Sequence, residues 1–313
     1  MKLYFAPMEG ITSYIYRNIH EEMFGGCDAY FAPFINPSDQ EKVSKKGVKD
    51  ILPEKNTTSN LKIQVLTNNP VSFLKFSDKV KALGYNEINI NLGCPAGTVV
   101  KKGRGSGFLR DTDALERFFD RIFSESDMKI SVKTRIGYSC TDEAEALMKI
   151  YNKYPLTSLI IHPRTRDELY SGSVHTDVFE MCYSTSKNDV CYNGDILTVE
   201  DWKKTALAYP NLEGIMIGRG AIRNPALFRE IRGGKPLEAK ELIEFSNRLI
   251  NDYNEIFNTE TFTVHKLKEI WIYMIKNFPE ERKAEKAIRK AKSLRDLKDA
   301  IYSLPLDIPA NAW

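Results

Sequence analysis

The chain has 313 residues, of which 42% are hydrophobic and 28% are charged, so a disordered or fibrous protein is excluded. Five cysteines are an odd number and few for this length, which argues against a disulfide framework. The opening MKLYFAPMEG lacks the apolar run of a signal peptide, so we expect a cytoplasmic protein. No stretch approaches the roughly 20 apolar residues of a membrane span. A net charge of +3 is too small to indicate a partner.

Short runs rich in aliphatic and aromatic residues alternate with longer runs of helical periodicity over the first part of the chain. We predict strands at residues 3–8, 29–34, 62–66, 87–91, 129–135, 158–162, 189–193 and 214–218. Such nearly continuous apolar runs are typical of parallel strands buried on both faces. Eight strand–helix units in roughly 230 residues favour an α/β fold of the (β/α)8 TIM-barrel type, with an open doubly wound sheet as the alternative.

Two segments depart from this alternation. Residues 36–60 are rich in Lys, Ser, Asn and Pro, and we expect a loop with one short helix at the barrel rim. After Gly233-Gly234 the strand patterns stop and helical periodicity continues, which predicts a catalytic barrel over 1–234 and a smaller helical domain over 235–313. Within that domain we predict one helix, Lys283–Lys298, with an apolar face and a basic face.

Polar residues and turn formers recur where the predicted strands end, which is where barrel enzymes carry their active sites. Each one alone is compatible with a loop cap, but their recurrence at one level of the barrel favours a site. They are Ala6, Pro7, Met8, Gln64, Asn89, Asn91, Cys94, Lys133, Arg135, His162, Asn193, Gly194, Asp195, Gly218, Arg219 and Gly220.

Cys94 lies between a glycine and a proline directly after a strand, so we expect it on a rigid turn at the barrel mouth. A free thiol has a pKa of roughly 8.5, so at neutral pH it can donate a proton as well as act as a nucleophile. Gly103, Gly105 and Gly107 predict a flexible loop beside the basic Lys101. Their spacing is not the GxGxxG of a dinucleotide-binding fold.

The last two barrel strands predict an anion site. The segments NGD (193–195) and GRG (218–220) follow strands seven and eight, where barrels commonly bind a phosphate, and Arg219 supplies a positive charge. Lys133 is expected to point into the same cavity, where it could stabilise a negative charge on a ring such as a reduced flavin.

The set of motifs resembles one family. APMEGIT, IQVL, NLGCP with its glycine loop, SVKTRIG, IHPRTRDELYSG, NGDI and MIGRGAIRNPALF follow one another in the order typical of the tRNA-dihydrouridine synthases. The resemblance implies an FMN enzyme on a TIM barrel that reduces uridines in tRNA to 5,6-dihydrouridine with NADPH as reductant. It also implies that the C-terminal helices bind tRNA.

Carried over to this chain, the resemblance assigns roles to individual residues. The proton donor to C5 of the uracil would be Cys94. The residues that would hold FMN are Pro7, Met8, Gln64, Lys133, His162, Asn193, Gly194, Asp195, Gly218 and Arg219. The residues that would contact the base or the RNA backbone are Asn91, Lys101, Arg135, Arg164, Arg166, Lys286, Arg289 and Lys290.

Two other functions remain open at this point. A flavin barrel related to dihydroorotate dehydrogenases would act on a free pyrimidine, but it would not need a basic helical appendage. An RNA-binding protein without enzymatic activity would not need Cys94, Lys133 and His162. A metal site is not expected, because the four histidines show no ligand spacing. We expect a monomer without a protein partner.

Overall fold

Eight parallel strands form a closed barrel in this computed structural model, which describes residues 1–37 and 45–305. The strands are β1 (Lys2–Phe5), β2 (Ala29–Phe31), β3 (Leu61–Val65), β4 (Glu87–Leu92), β5 (Lys129–Gly137), β6 (Leu159–Thr165), β7 (Val190–Tyr192) and β8 (Gly214–Ile217). Each strand pairs with the next one, and β1 also pairs with β8. The predicted barrel is therefore confirmed, and the open sheet is excluded.

The two faces of the strands have different partners because successive side chains point to opposite sides. In β4, which reads EININL, the three apolar side chains at Ile88, Ile90 and Leu92 belong to the core between barrel and helices. The alternate residues face the barrel interior. That interior is apolar on one side, where Tyr4 and Phe31 pack edge to face at 5.6 Å, and polar around β3, β4 and β5.

Helices surround the barrel between residues 14 and 231. They are α1 (Tyr14–Met23), α2 (Lys45–Lys49), α3 (Pro70–Ala82), α4 (Gly97–Val100), α5 (Thr112–Glu125), α6 (Glu143–Tyr151), α7 (Thr176–Thr185), α8 (Val199–Ala208), α9 (Arg219–Arg223) and α10 (Leu227–Ile231). Local chemistry starts several of them: Asn69 Oδ1 accepts hydrogen bonds from two backbone N–H groups of α3, and Thr198 and Asp201 form a capping box on α8. The short helix predicted within 36–60 is α2, and residues 38–44 lie outside the described part.

The C-terminal region is helical, as predicted. It contains α11 (Ala239–Phe257), α12 (Glu260–Met274), α13 (Arg282–Lys290) and α14 (Leu294–Tyr302), and residues 306–313 lie outside the described part. Helix α11 packs against α1, and α12 packs against α9, so this region lies beside the first and last barrel strands. Within the described residues, no helix combines the length and the hydropathy needed to cross a membrane.

The predicted single helix Lys283–Lys298 is wrong. Helix α13 ends at Lys290, Ala291 adopts an extended conformation, and α14 begins at Leu294. The physical reason is a capping box, in which Ser293 Oγ accepts from the N–H of Asp296 at 3.0 Å and the Asp296 carboxylate accepts from the N–H of Ser293 at 3.1 Å. A helix whose N-cap is Ser293 cannot be the continuation of the helix before it.

Candidate active site

A cavity of about 270 Å³ opens at the carboxyl ends of the barrel strands. It is bordered by loops from both ends of the barrel sequence and by one residue of helix α12. The predicted site residues that line it are Ala6, Pro7, Met8, Asn91, Cys94, Lys133, Arg135, His162, Asn193, Gly194, Asp195, Gly218, Arg219 and Gly220. The structure therefore brings fourteen of the predicted residues to one place.

The turn that carries Cys94 is held from both sides. Asn91 Oδ1 accepts hydrogen bonds from the N–H groups of Gly93 at 3.1 Å and Cys94 at 2.9 Å. The carbonyl oxygen of Cys94 accepts hydrogen bonds from Ser106 Oγ at 2.8 Å and from the backbone N–H of Ser106 at 3.1 Å. The thiol is half-buried, and this burial raises its pKa above the ordinary value. The group is consequently a protonated thiol at neutral pH, which suits a proton donor better than a nucleophile.

Two of the three glycines predicted to form a loop after Cys94 lie in a short helix instead, and Gly103 lies in the turn before it. Residues Gly105–Arg110 form a 3-10 helix, and Gly105 and Gly107 are buried. A Cβ atom at Gly105 would lie 2.7 Å from the carbonyl oxygen of Cys94, and one at Gly107 would lie 2.7 Å from that of Val100. The glycines thus permit close packing against the Cys94 turn. Lys101 precedes this helix, is exposed and lies outside the cavity lining.

Lys133 is the cation at the base of the cavity. Burial and, to a smaller extent, the nearby Arg135 guanidinium together lower its pKa to about 8. No hydrogen bond or ion pair engages its ammonium group within residues 1–37 and 45–305. The side chain is therefore available to an acceptor atom of a ligand.

His162 contributes a neutral imidazole. Its Nε2 lies 3.2 Å from a terminal nitrogen of Arg164. Because a guanidinium can only donate, Nε2 must accept, which places the proton on Nδ1. Burial and then the charges of Arg135 and Lys133 hold the pKa of His162 well below its usual range. His162 therefore stays uncharged throughout the physiological pH range.

Asp195 links two arginines at the strand-seven side. Its carboxylate accepts from Arg164 at 2.5 Å and from Arg219 at 2.6 Å. Arg164 is almost fully buried and also donates to His162 and to the carbonyl oxygens of Ser171 and Gly172. All its donors are engaged, so the predicted contact between Arg164 and RNA would require one of these bonds to break. Arg219 remains partly exposed at the cavity rim.

Arg135 lines the cavity with a guanidinium that is already bonded to the protein, whereas Gln64 lies behind the lining. Arg135 is buried and donates to the carbonyl oxygens of Gly93 at 2.9 Å and Thr165 at 2.7 Å. Gln64 is fully buried one layer below, where it is bonded to Asn91, and it does not line the cavity. The predicted contact of Gln64 with a cofactor stays a prediction.

The remaining predicted residues lie away from the cavity. Arg166 is paired with Asp167 at 2.8 Å, and its guanidinium lies 5.5 Å from the ring centre of Tyr138. The basic residues of α13, namely Lys286, Arg289 and Lys290, are exposed, and Arg289 is paired with Glu285 at 2.8 Å. These residues belong to an outer surface and are not brought together with Cys94.

Two tyrosines of the site were missed from the sequence. The ring of Tyr170 lies 5.9 Å from the His162 ring and 4.9 Å from the Arg219 guanidinium, which places an aromatic side chain over the cationic wall. Tyr273 comes from helix α12 and lines the same cavity. The RDELYSG segment indicated the neighbourhood of Tyr170, but no motif marks Tyr273 in the sequence.

A closed parallel barrel surrounded by helices, with a cavity at the carboxyl ends of its strands, defines a protein of the TIM-barrel class. Similar solved structures include morphinone reductase, with a TM-score of 0.53 and 10% identity over 76% of this chain and 87% of that one. Histamine dehydrogenase from Rhizobium sp. 4-9 has a TM-score of 0.56 and 11% identity over 74% of this chain and 45% of that one. At these identities the likeness shows the fold alone.

The family model described as dihydrouridine synthase (Dus) matches residues 4–303, so this chain belongs to the dihydrouridine synthase family and is an oxidoreductase. Similar curated proteins include the tRNA-dihydrouridine(16) synthase of Cupriavidus necator, which is 27% identical over 97% of each chain. A probable tRNA-dihydrouridine synthase of Staphylococcus aureus is 26% identical over 93% of this chain and 91% of its own. The resemblance read from the motifs is confirmed.

Proposed function

We propose that this protein reduces uridines in tRNA to 5,6-dihydrouridine, with a bound FMN and with Cys94 as the proton donor. The observation that carries the proposal is a protonated, half-buried thiol on a rigid turn that borders the same cavity as Lys133 and His162. The family and the names of the similar proteins support the substrate.

The residues of the cavity fit a flavin mononucleotide. Lys133 offers an ammonium group without a partner in the described structure, and Arg219 adds a second cation at the rim. Gly194 and Gly218 line the cavity without a side chain that would narrow it. A Cβ atom at Gly194 would also lie 2.9 Å from a methyl group of Val174, so this position packs closely against the protein itself. A phosphate would compete with Asp195 for Arg219. A bound reduced flavin would supply the hydride for C6 of the uracil.

Cys94 then completes the reduction. The C5=C6 bond of uracil is conjugated with the C4 carbonyl, so hydride addition at C6 produces an enolate that needs a proton at C5. A thiol whose pKa is raised by burial keeps its proton at neutral pH until such a base is present. Lys133 and the neutral Nδ1–H of His162 are further donors at this cavity.

The target base has to leave the folded RNA in order to reach the cavity, which costs a few kcal/mol of unstacking. Backbone contacts offset this cost, and the exposed Lys286, Arg289 and Lys290 on α13 are our candidates. We further propose that NADPH reduces the flavin, that the barrel and the helices act as domains 1–234 and 235–313, and that the enzyme works as a cytoplasmic monomer.

The test separates the two half-reactions. Cys94→Ala should bind FMN and be reduced by NADPH at the wild-type rate, since neither step uses the thiol. Reoxidation of the pre-reduced enzyme by unmodified tRNA should slow by about 10²–10⁴-fold, the usual contribution of general acid catalysis. Cys94→Ser should also be slow because a hydroxyl is a much weaker acid.

Rapid mixing with detection of flavin absorbance measures both steps, and Cys140→Ala, at an exposed cysteine far along the chain, is the matched control. Wild-type reoxidation of Cys94→Ala would overturn the role of Cys94. If free uridine but not tRNA reoxidises the reduced wild-type enzyme, the substrate is a free pyrimidine rather than tRNA.

A further inference from the structure

A row of polar side chains crosses the barrel interior from its amino end to the Cys94 turn. Strand β4 contributes Glu87, Asn89 and Asn91, which alternate along one face of the strand. The neighbouring strands place Gln64 and Ser131 on either side of Asn89, because both are its register partners. We call these five side chains the amide row.

Hydrogen bonds join the amide row end to end. Ser131 Oγ donates to Glu87 at 2.8 Å, and Asn89 Nδ2 donates to Ser131 Oγ at 2.9 Å. Gln64 Nε2 donates to Asn89 Oδ1 at 2.7 Å, and Asn91 Nδ2 donates to Gln64 Oε1 at 2.8 Å. Asn91 Oδ1 is the last acceptor of the row and takes the backbone N–H groups of the Cys94 turn.

All these bonds run in one direction, and Glu87 is the reason. A carboxylate only accepts, and the second oxygen of Glu87 already accepts from Lys62 at 2.6 Å, so Ser131 must donate to the first one. Each amide then has only one orientation that avoids placing two donors or two acceptors together. If the row were reversed, the NH₂ group of Asn91 would face the N–H groups of Gly93 and Cys94.

Burial makes the orientation matter. Gln64, Asn89 and Ser131 have no exposed surface, so bulk solvent cannot replace a lost partner. An unsatisfied buried donor or acceptor costs more than an ordinary hydrogen bond contributes, and linked bonds strengthen one another. A change at Glu87 is therefore transmitted to Asn91 rather than absorbed locally.

We propose that Glu87 is a positioning residue for Cys94: through Ser131, Asn89 and Gln64 it orients Asn91 and so fixes the turn that presents the thiol. The role of Cys94 rests on the proposed function, but the geometry of its turn does not. The test therefore uses one measurement on the thiol alone and another on the reaction.

Ser131→Ala cuts the amide row at its second member with a small change of shape. Ser158→Ala is the matched control, because Ser158 also donates from the barrel interior to a glutamate, Glu213, at 3.3 Å. The side chains of Glu87 and Glu213 are 12% and 11% exposed. Glu213 also accepts from Lys2 and Tyr4, and in the described part of the chain no side-chain hydrogen bond joins these residues to the amide row.

The first measurement is alkylation of Cys94 by iodoacetamide, followed by peptide mass spectrometry, with the exposed Cys140 as internal reference. Ser131→Ala should raise the Cys94 rate about fivefold because the half-buried thiol is no longer held in place. The second is reoxidation of the reduced enzyme by tRNA, which should slow by about tenfold as the donor is displaced, with NADPH reduction unchanged.

Ser158→Ala should leave both rates within about twofold of wild type. Ser131→Thr keeps the hydroxyl, so both rates should also stay close to those of the wild-type enzyme. Glu87→Leu should behave as Ser131→Ala does, whereas Glu87→Gln retains an acceptor for Ser131 and should be milder. If Ser131→Ala matches Ser158→Ala in Cys94 alkylation, the proposal is overturned, whatever the reaction with tRNA shows. If Ser131→Ala is alkylated faster while the wild-type enzyme itself is inactive towards tRNA, the role of the amide row is supported and the proposed function is refuted.

Discussion

Gly105→Ala is the substitution for which the structure gives the sharpest expectation. Gly105 has a φ of +56°, in the left-handed region, and the carbonyl oxygen of Cys94 occupies the space that a side chain at this position would need. Two separate costs follow. An alanine in the left-handed region costs about 1–2 kcal/mol, and its Cβ atom, 2.7 Å from a backbone oxygen, forces the packed turn to shift.

The second cost can be isolated because Gly103 is a matched control. Gly103 has a φ of +64°, so Gly103→Ala introduces the same backbone strain, but among the described residues its Cβ atom would meet only the side-chain amide of Asn68, at 3.3 Å. Overpacking in a rigid site typically costs about 1–3 kcal/mol. We therefore expect Gly103→Ala to lose about 1–2 kcal/mol of unfolding free energy and Gly105→Ala to lose about 2–5 kcal/mol.

Urea denaturation monitored by circular dichroism measures the difference between the two variants. The loss of chain entropy in the unfolded state is the same for both substitutions and cancels in the comparison. The Gly105 variant should also reoxidise slowly with tRNA, because its clash is with the residue that carries the thiol. Equal destabilisation of the two variants would show that the turn absorbs the added methyl group, and our account of these glycines would be wrong.

Two further predictions concern charge. Since the pKa of Lys133 is lowered to about 8, its ammonium group loses its proton as the pH rises through 8. The affinity for FMN, measured by fluorescence titration, should therefore fall between about pH 7 and about pH 9.5, and Lys133→Met should bind FMN weakly and without this dependence on pH. A wild-type affinity that does not change with pH would contradict a contact between Lys133 and FMN. Changing Lys286, Arg289 and Lys290 together to Ala should reduce the slope of the logarithm of tRNA affinity against the logarithm of salt concentration by roughly one unit per lost phosphate contact. A slope unchanged from wild type would show that this face of α13 is exposed to solvent and does not contact tRNA.

The strands could be predicted from the sequence because a parallel barrel buries both faces of each strand and so needs apolar runs such as LIIH at the start of β6. Eight such runs with helical segments between them leave few other folds. The division between α13 and α14 was harder to predict, because the apolar periodicity continues across it. The Ser293–Asp296 capping box was present in the sequence, and it outweighed that periodicity.

The glycines at 103–107 show what a composition-based reading misses. Glycine permits unusual backbone angles, which suggests flexibility, but it also permits a close approach of other backbone atoms. Only the position of the neighbouring chain distinguishes the two, and the Cys94 carbonyl oxygen reaches Gly105 from eleven residues earlier. Tyr273 was missed for a related reason, since its contact with the cavity depends on how α12 packs against α9.

Gln64 shows the same limit within the barrel itself. Strand alternation correctly places its side chain inside the barrel, but alternation gives the direction of a side chain and not its depth along the barrel axis. The depth follows from register: Gln64 pairs with Asn89, two residues before Asn91, so it lies one layer below the residue that holds the Cys94 turn. In that layer its two polar atoms are bonded to Asn89 and Asn91. A polar residue at the end of a barrel strand can therefore serve the site by supporting the residues that touch the ligand, and only the register of the sheet separates this role from direct contact.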